Sequence, residues 1–272
     1  MLNWLTGGVV DLNTYTRPLI FAFAIFTWFM ILKRYIPVKE NYRLLIKVAA
    51  ISFTGAITSP LIIFTISGNL ISFLKRSINL LEKVNNINSL QQILNVAFKG
   101  FSITGGITLL AIVLIFVVKD AKKVTFGILY PFPLFAAITR INCFFEGCCF
   151  GKLYEGPCSV TFPPASYASK YHYSKYGLAS RFIESLPVYP TQLMLVFSMF
   201  FLFLIVFIMN FFKVARNIIA GTVLTGYGFF NFIIEFFRSE PRVFGSPFTI
   251  GQYMEITLII LGFYMISKVK DI

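Results

Sequence analysis

Hydrophobic positions in this chain gather into long apolar runs separated by polar stretches, and the length of the runs decides what they form. A helix that crosses a membrane needs about 20 mostly apolar residues. That ruler predicts seven helical spans, near 18–35, 44–67, 103–118, 124–145, 190–212, 218–237 and 250–267. The first run is too long for a signal h-region, no basic cluster precedes it and no small-residue cleavage site follows, so it is expected to remain as a span. Segment 68–100 has apolar spacing interspersed with Asn, Gln and Lys, the pattern of an amphipathic helix lying on the membrane surface. Segment 151–187 is rich in Pro, Gly, Ser and Tyr and predicts an irregular extracytoplasmic cap. The expected fold class is an all-α integral membrane protein, with residues 1–272 forming one polytopic domain.

Composition sharpens this. Hydrophobic residues are 57% of the chain and charged residues 13%, against roughly 45–50% and about 25% in soluble proteins. Mean hydropathy is +0.77. A soluble fold could not cover that apolar surface with so few charges. The net charge of +13 does not indicate nucleic-acid binding, because the basic residues lie between apolar runs as membrane anchors. Lys33, Arg34, Lys39 and Arg43 follow span one, Lys119, Lys122 and Lys123 follow span three, and Lys213 and Arg216 follow span five. With Lys268 and Lys270 in the tail and Arg17 alone near the start, this bias predicts the amino terminus outside and the carboxyl terminus in the cytoplasm.

Polar residues inside spans are costly and mark candidate sites. Span six reads Gly226-Tyr-Gly-Phe-Phe-Asn-Phe-Ile-Ile-Glu-Phe-Phe-Arg238. At about 100° per residue, Tyr227, Asn231, Glu235 and Arg238 fall on one stripe that must face the protein interior or a watery cavity. Glu235 and Arg238, three apart, can pair, and a pair that merely joins helices is the simpler alternative. Span four ends Thr139-Arg-Ile-Asn-Cys-Phe-Phe-Glu-Gly-Cys-Cys-Phe-Gly151. Arg140 offers a planar fork of donors suited to a lipid phosphate, or else snorkels to headgroups without specificity.

Cys143, Cys148, Cys149 and Cys158 are all the cysteines of the chain. Their spacing lacks the paired C-x-x-C of zinc sites. A disulfide is open to them in an oxidising compartment, and close helix contact through small buried residues is the commonest role for such a group. The single histidine, His172, reads as a surface loop residue of the cap. Gly105-Gly106 opens span three, and Gly147 and Gly151 follow span four, positions where small residues permit close backbone approach.

Taken in order, Gly105-Gly106, the 140–151 stretch, Pro190-Thr-Gln192-Leu, the 226–241 stretch and Thr249-Ile-Gly-Gln252 resemble the prolipoprotein diacylglyceryl transferase family of bacterial inner-membrane enzymes. The resemblance implies seven spans with the amino terminus outside. It also implies transfer of the diacylglyceryl group of phosphatidylglycerol to a lipobox cysteine thiol, with glycerol phosphate leaving and no metal or nucleotide cofactor. The expected partners are phosphatidylglycerol, other membrane lipids and a prolipoprotein lipobox peptide. By position in the family motifs, Arg140 is expected to hold the lipid phosphate, and Glu235 or Tyr227 to relay a proton. Arg238, Asn231, Gln192, Gly105, Gly106, Gly147 and Gly151 complete the expected substrate site.

The chain departs from the family pattern at several places. Cys143 stands where the family has asparagine and Cys148 where it has glutamate. Thr104 and Tyr189 replace its two histidines, and Asn231 replaces a second arginine. The retained Arg140, Gln192, Glu235 and Arg238 favour an active transferase. The lost histidines leave open a relative that binds or moves phospholipid, or that lipidates another acceptor, without the standard chemistry.

Overall fold

A computed structural model describes residues 12–35, 103–116, 122–177, 183–239 and 247–268, with isolated helical positions at 46, 50 and 54. Apart from those positions, span two lies outside the described residues, as does the segment expected to be amphipathic at 68–100. The described helices are α1 (Leu12–Tyr35), α2 (Ile103–Phe116), α3 (Lys122–Leu129), α4 (Phe132–Glu146), α5 (Tyr167–Tyr176), α6 (Thr191–Phe211), α7 (Arg216–Glu235) and α8 (Ile250–Ser267). Among the described residues there is no β-strand beyond isolated bridges, and the fold is mostly helical, as an all-α membrane protein would be. Among the described residues three stretches, Thr125–Glu146, Thr191–Phe211 and Arg216–Glu235, are long and apolar enough to cross a membrane.

Span four is broken into α3 and α4 at Tyr130–Pro131 rather than running unbroken. Pro131 and Pro133 each lack an N–H, which tightens the chain into a turn before α4 resumes. Span six also ends earlier than expected. Regular helix stops at Glu235, and Arg238 lies in the following turn, its N–H bonded to the Glu235 carbonyl at 3.1 Å.

The packing follows from residue size. α7 lies against α8 more extensively than any other described pair, α4 against α1 and α6, and α8 also against α2. A Cβ at Gly221 would fall 2.6 Å from the Gly262 carbonyl oxygen, and one at Gly228 2.6 Å from that of Glu255. Glycine at these positions lets the backbones of α7 and α8 meet, the usual route to tight helix pairing in lipid. On α7, Tyr227, Asn231 and Glu235 are buried while Phe229, Ile233 and Phe236 are exposed, so the polar stripe faces inward. At the far end of α6, about 27 Å from Gln192 by helical rise, Asn210 Nδ2 donates to the Tyr35 hydroxyl at 3.0 Å and joins α1 to α6.

The cap is not wholly irregular. Its 151–187 segment holds α5, whose first turn is capped by the Ser166 hydroxyl accepting from Ser169 N–H at 3.1 Å and which ends at the left-handed Gly177. His172 is on this helix, not on a loop, and is 1% exposed. Its Nδ1 accepts from the Leu186 N–H at 3.1 Å, so it ties α5 to the strand-like segment leading into α6. Burial, reinforced by nearby Lys175, holds its pKa below the usual histidine value. The neutral ring's contribution to cap stability is therefore complete above about pH 6.5 and is lost as pH falls below it. The protection of the Leu186 amide against hydrogen exchange, taken relative to its intrinsic rate at each pH, should fall from pH 7.5 to pH 5, and pH-independent protection would refute this.

Candidate functional site

The polar groups converge where four helix ends meet. α4 terminates at Gly147, whose left-handed backbone (φ 64°) lets its N–H bond back to the Cys143 and Phe144 carbonyls. The next residues run between the start of α6 and the end of α7. Gly151 N–H donates to Tyr189 O at 3.1 Å, Lys152 N–H to Phe237 O at 2.8 Å, and Ser239 Oγ to Gly151 O at 2.7 Å. Gly151 leaves no room for a side chain, since a Cβ would sit 2.5 Å from that of Tyr189 and 3.0 Å from the Phe237 carbonyl oxygen. Gly151→Ala is expected to cost about 1–3 kcal/mol through overpacking, read as a lower Tm in detergent. An unchanged Tm would show that this junction yields easily.

Arg140 lies on the last turns of α4, half-buried and within electrostatic reach of Tyr227, Arg238, Cys143 and Cys149. Arg238 Nη1 donates to Glu235 Oε2 at 2.7 Å. Thr249 Oγ1 donates to Glu235 Oε1 at 3.2 Å. That same Thr249 begins α8 with a reciprocal capping box to Gln252, whose Nε2 donates to Phe232 O at 3.3 Å. The Thr249-Ile-Gly-Gln252 motif therefore fastens the start of α8 to the polar stripe of α7.

Gln192 is fully buried, and its Nε2 donates to Cys148 O at 2.7 Å. Beside it, Thr191 Oγ1 donates to Cys149 O at 2.8 Å. Asn231 turns back on its own helix, donating to Tyr227 O at 2.8 Å. Gly105 and Gly106 open α2, which packs on α8. Arg140, Tyr227, Glu235 and Arg238 are thus brought together, and Gln192, Gly147 and Gly151 shape the adjoining loop.

One feature escaped the sequence reading, and another was set aside there on its spacing. Glu255 on α8 is buried with Oε2 lacking a hydrogen-bond partner, in electrostatic reach of Glu235, Arg238 and Arg140. A lone carboxylate in an apolar run was a signal by the same rule that picked out Glu235. The cysteines are the other feature. The Sγ atoms of Cys143, Cys148 and Cys149 lie within 4.8 Å of one another, a grouping able to hold a metal ion.

Beyond this cluster a cavity of about 830 Å³ opens, lined by Cys149, Lys152, Tyr171, Lys175, Arg238 and Ser239 among others. Its charged lining is entirely basic, which suits a phosphate. Lys175 Nζ donates to the Tyr171 hydroxyl at 2.8 Å, so α5 contributes to the rim.

Comparison with known proteins points to one family. A family profile described as prolipoprotein diacylglyceryl transferase matches residues 5–268. A phosphatidylglycerol–prolipoprotein diacylglyceryl transferase of Francisella tularensis subsp. holarctica is 30% identical over 138 residues, covering 48% of this chain and 44% of the relative. One of Clostridium tetani is 26% identical over 193 residues, covering 68% of this chain and 70% of the relative. The match therefore spans less than half the length of the first relative.

Proposed function

The chain belongs to the prolipoprotein diacylglyceryl transferase family, and from that premise we propose that it moves the diacylglyceryl group of phosphatidylglycerol onto a lipobox cysteine thiol. It does so in the bacterial inner membrane, with seven spans, the amino terminus outside and the carboxyl terminus cytoplasmic. The observation that carries this reading is the gathering of Arg140, Tyr227, Arg238, Glu235 and Glu255 at one end of the bundle, beside a basic cavity.

Displacing a phosphate ester at carbon requires neutralising the departing phosphate and producing a thiolate. Arg140 and Arg238 supply positive charge where the phosphate gains it. Glu235, bonded to Arg238, sets the direction of that guanidinium. Glu255 carries an oxygen without a hydrogen-bond partner and is the better proton acceptor, with Tyr227 as a relay next to Arg140.

Purified protein incubated with labelled phosphatidylglycerol and a lipobox peptide should yield a thioether-linked peptide and glycerol phosphate by mass spectrometry. No product, under conditions where an ordinary family member works, would end this reading. A second reading rests on Tyr189, which stands in place of a family histidine and stacks on Tyr154 at 3.9 Å between ring centroids. It takes the chain as a binder of phospholipid without transfer, and predicts co-purifying lipid and no thioether.

A further inference from the structure

We propose that Cys143, Cys148 and Cys149 bind one zinc ion whose fourth coordination position receives the acceptor thiol; this rests on the transferase reading above. In the linear sequence the three are spaced C-x-x-x-x-C-C, unlike paired zinc motifs. The fold removes that objection. Gly147 ends α4 in the left-handed region, and the Cys148 N–H bonds the Cys143 carbonyl at 3.2 Å, so the chain doubles back over its own last turn. Cys149 is itself left-handed, at φ 56°, a conformation that costs a non-glycine residue about 1 kcal/mol or more and persists where neighbours enforce it. Those neighbours are Gln192 and Thr191, which bond the Cys148 and Cys149 carbonyls at 2.7 and 2.8 Å. The first turn of α6 thus fixes the backbone that presents the sulfurs, the kind of outer support that metal ligands need.

The sulfur geometry fits zinc. Zinc–thiolate bonds of about 2.3 Å in a tetrahedron place the sulfurs about 3.8 Å apart. The three Sγ atoms lie within 4.8 Å of one another, so small side-chain rotations close the set. Three thiolates select a soft cation over magnesium or calcium. Three protein ligands also leave one position free, as in catalytic zinc sites. Here Cys149 lines the cavity of about 830 Å³, which gives that position a way out. Charge is balanced too. Three thiolates around a dication leave one negative charge, and Arg140 and Arg238 both lie within electrostatic reach of Cys149.

The site would supply the thiolate that attack on carbon requires. A free thiol, with pKa about 8.5, is mostly protonated near neutral pH. Zinc deprotonates a coordinated thiol outright. On binding, the acceptor thiol loses its proton to Glu255. Its sulfur donates an electron pair to the glyceryl carbon of phosphatidylglycerol, and a C–S bond forms. The C–O bond to phosphate breaks with its electron pair passing to the phosphate oxygen. Glycerol phosphate departs with one more negative charge than the lipid phosphate carried.

Cobalt(II) is the probe. The purified full chain should bind one equivalent and develop thiolate-to-cobalt charge-transfer absorption that zinc chloride displaces. The Cys143→Ser/Cys148→Ser/Cys149→Ser variant should lack that absorption, whereas Cys158→Ser, at the exposed cysteine outside the trio, should keep it. Adding a lipobox peptide should raise the absorption by about a third, as three thiolates become four, and the same peptide with serine for cysteine should not. Because the peptide titration uses the unmodified chain, the proposal stands or falls even if the triple variant does not fold. It is overturned by absent absorption, by absorption that survives in the triple variant, by uptake of copper(I) but not of cobalt or zinc, or by no response to the cysteine peptide. Full transfer by chelator-stripped protein would overturn it while sparing the family chemistry. Cobalt and peptide binding without any thioether product would support the metal site and end the transferase reading.

Discussion

Replacing Arg140 by alanine is expected to abolish diacylglyceryl transfer, lowering kcat/KM by about 10³ or more. Removing one preorganised donor to a developing anion already costs about 10²–10³. Arg140 is half-buried, where solvent replaces little of the lost charge, and it lies within electrostatic reach of Tyr227 and Arg238. No ion pair within the described residues holds it, so its fork is available to a phosphate. Arg140→Lys should recover only a small part of the activity, because an ammonium cannot reproduce planar two-point bonding. The defect should fall on kcat as well as on KM for phosphatidylglycerol, since the phosphate gains charge only as the C–O bond breaks. If Arg140→Ala instead lowers Tm and spares kcat, the side chain is a structural anchor and the phosphate is held elsewhere.

What the sequence discloses about this site depends on whether the information is carried by one helix or by several. The stripe of Tyr227, Asn231 and Glu235 was legible because helical periodicity alone puts them on one face, and the cost of polar groups in lipid turns that face inward. Arg238 paired with Glu235 as their spacing allowed, although it does so from a turn rather than from the helix. Glu255 obeys the same rule but stands alone in its run, with no polar stripe at helical spacing to mark its face as inward. The role of Thr249 and Gln252 is a capping box, visible in the spacing T-x-x-Q. Its bond to Glu235 was not visible, since it depends on how α8 meets α7.

The cysteines make the same distinction more sharply. Spacing rules for metal sites presume ligands presented by hairpins or successive helical turns. Here Gly147 reverses the chain at a helix end and the first turn of another helix fixes the result. No linear rule anticipates that. His172 erred in the opposite direction. A polar, tyrosine-rich segment suggested a loop, yet Ser166 and Gly177 mark the two ends of a short helix, and packing against Phe150 at 5.4 Å between ring centroids buries the ring.

Glu255→Gln is expected to lower kcat by about 10²–10⁴, the range associated with losing a positioned proton acceptor. The substitution keeps size and shape, which matters because the Glu255 backbone sits where Gly228 lets α7 approach. The side chain is 3% exposed. A carboxyl group so buried, with one oxygen lacking a hydrogen-bond partner, has lost its water shell at a cost, while Glu235 repels and Arg238 and Arg140 attract its charge. That arrangement has no evident value to stability, since burying an incompletely bonded carboxylate costs free energy. The glutamine variant should therefore match or exceed the parent in Tm while losing turnover, and the acid limb of its pH–rate profile should disappear. Glu255→Asp should restore part of the rate. A glutamine variant with parental turnover and an unchanged pH profile would remove Glu255 from the chemistry and send the proton to Tyr227 or to water in the basic cavity.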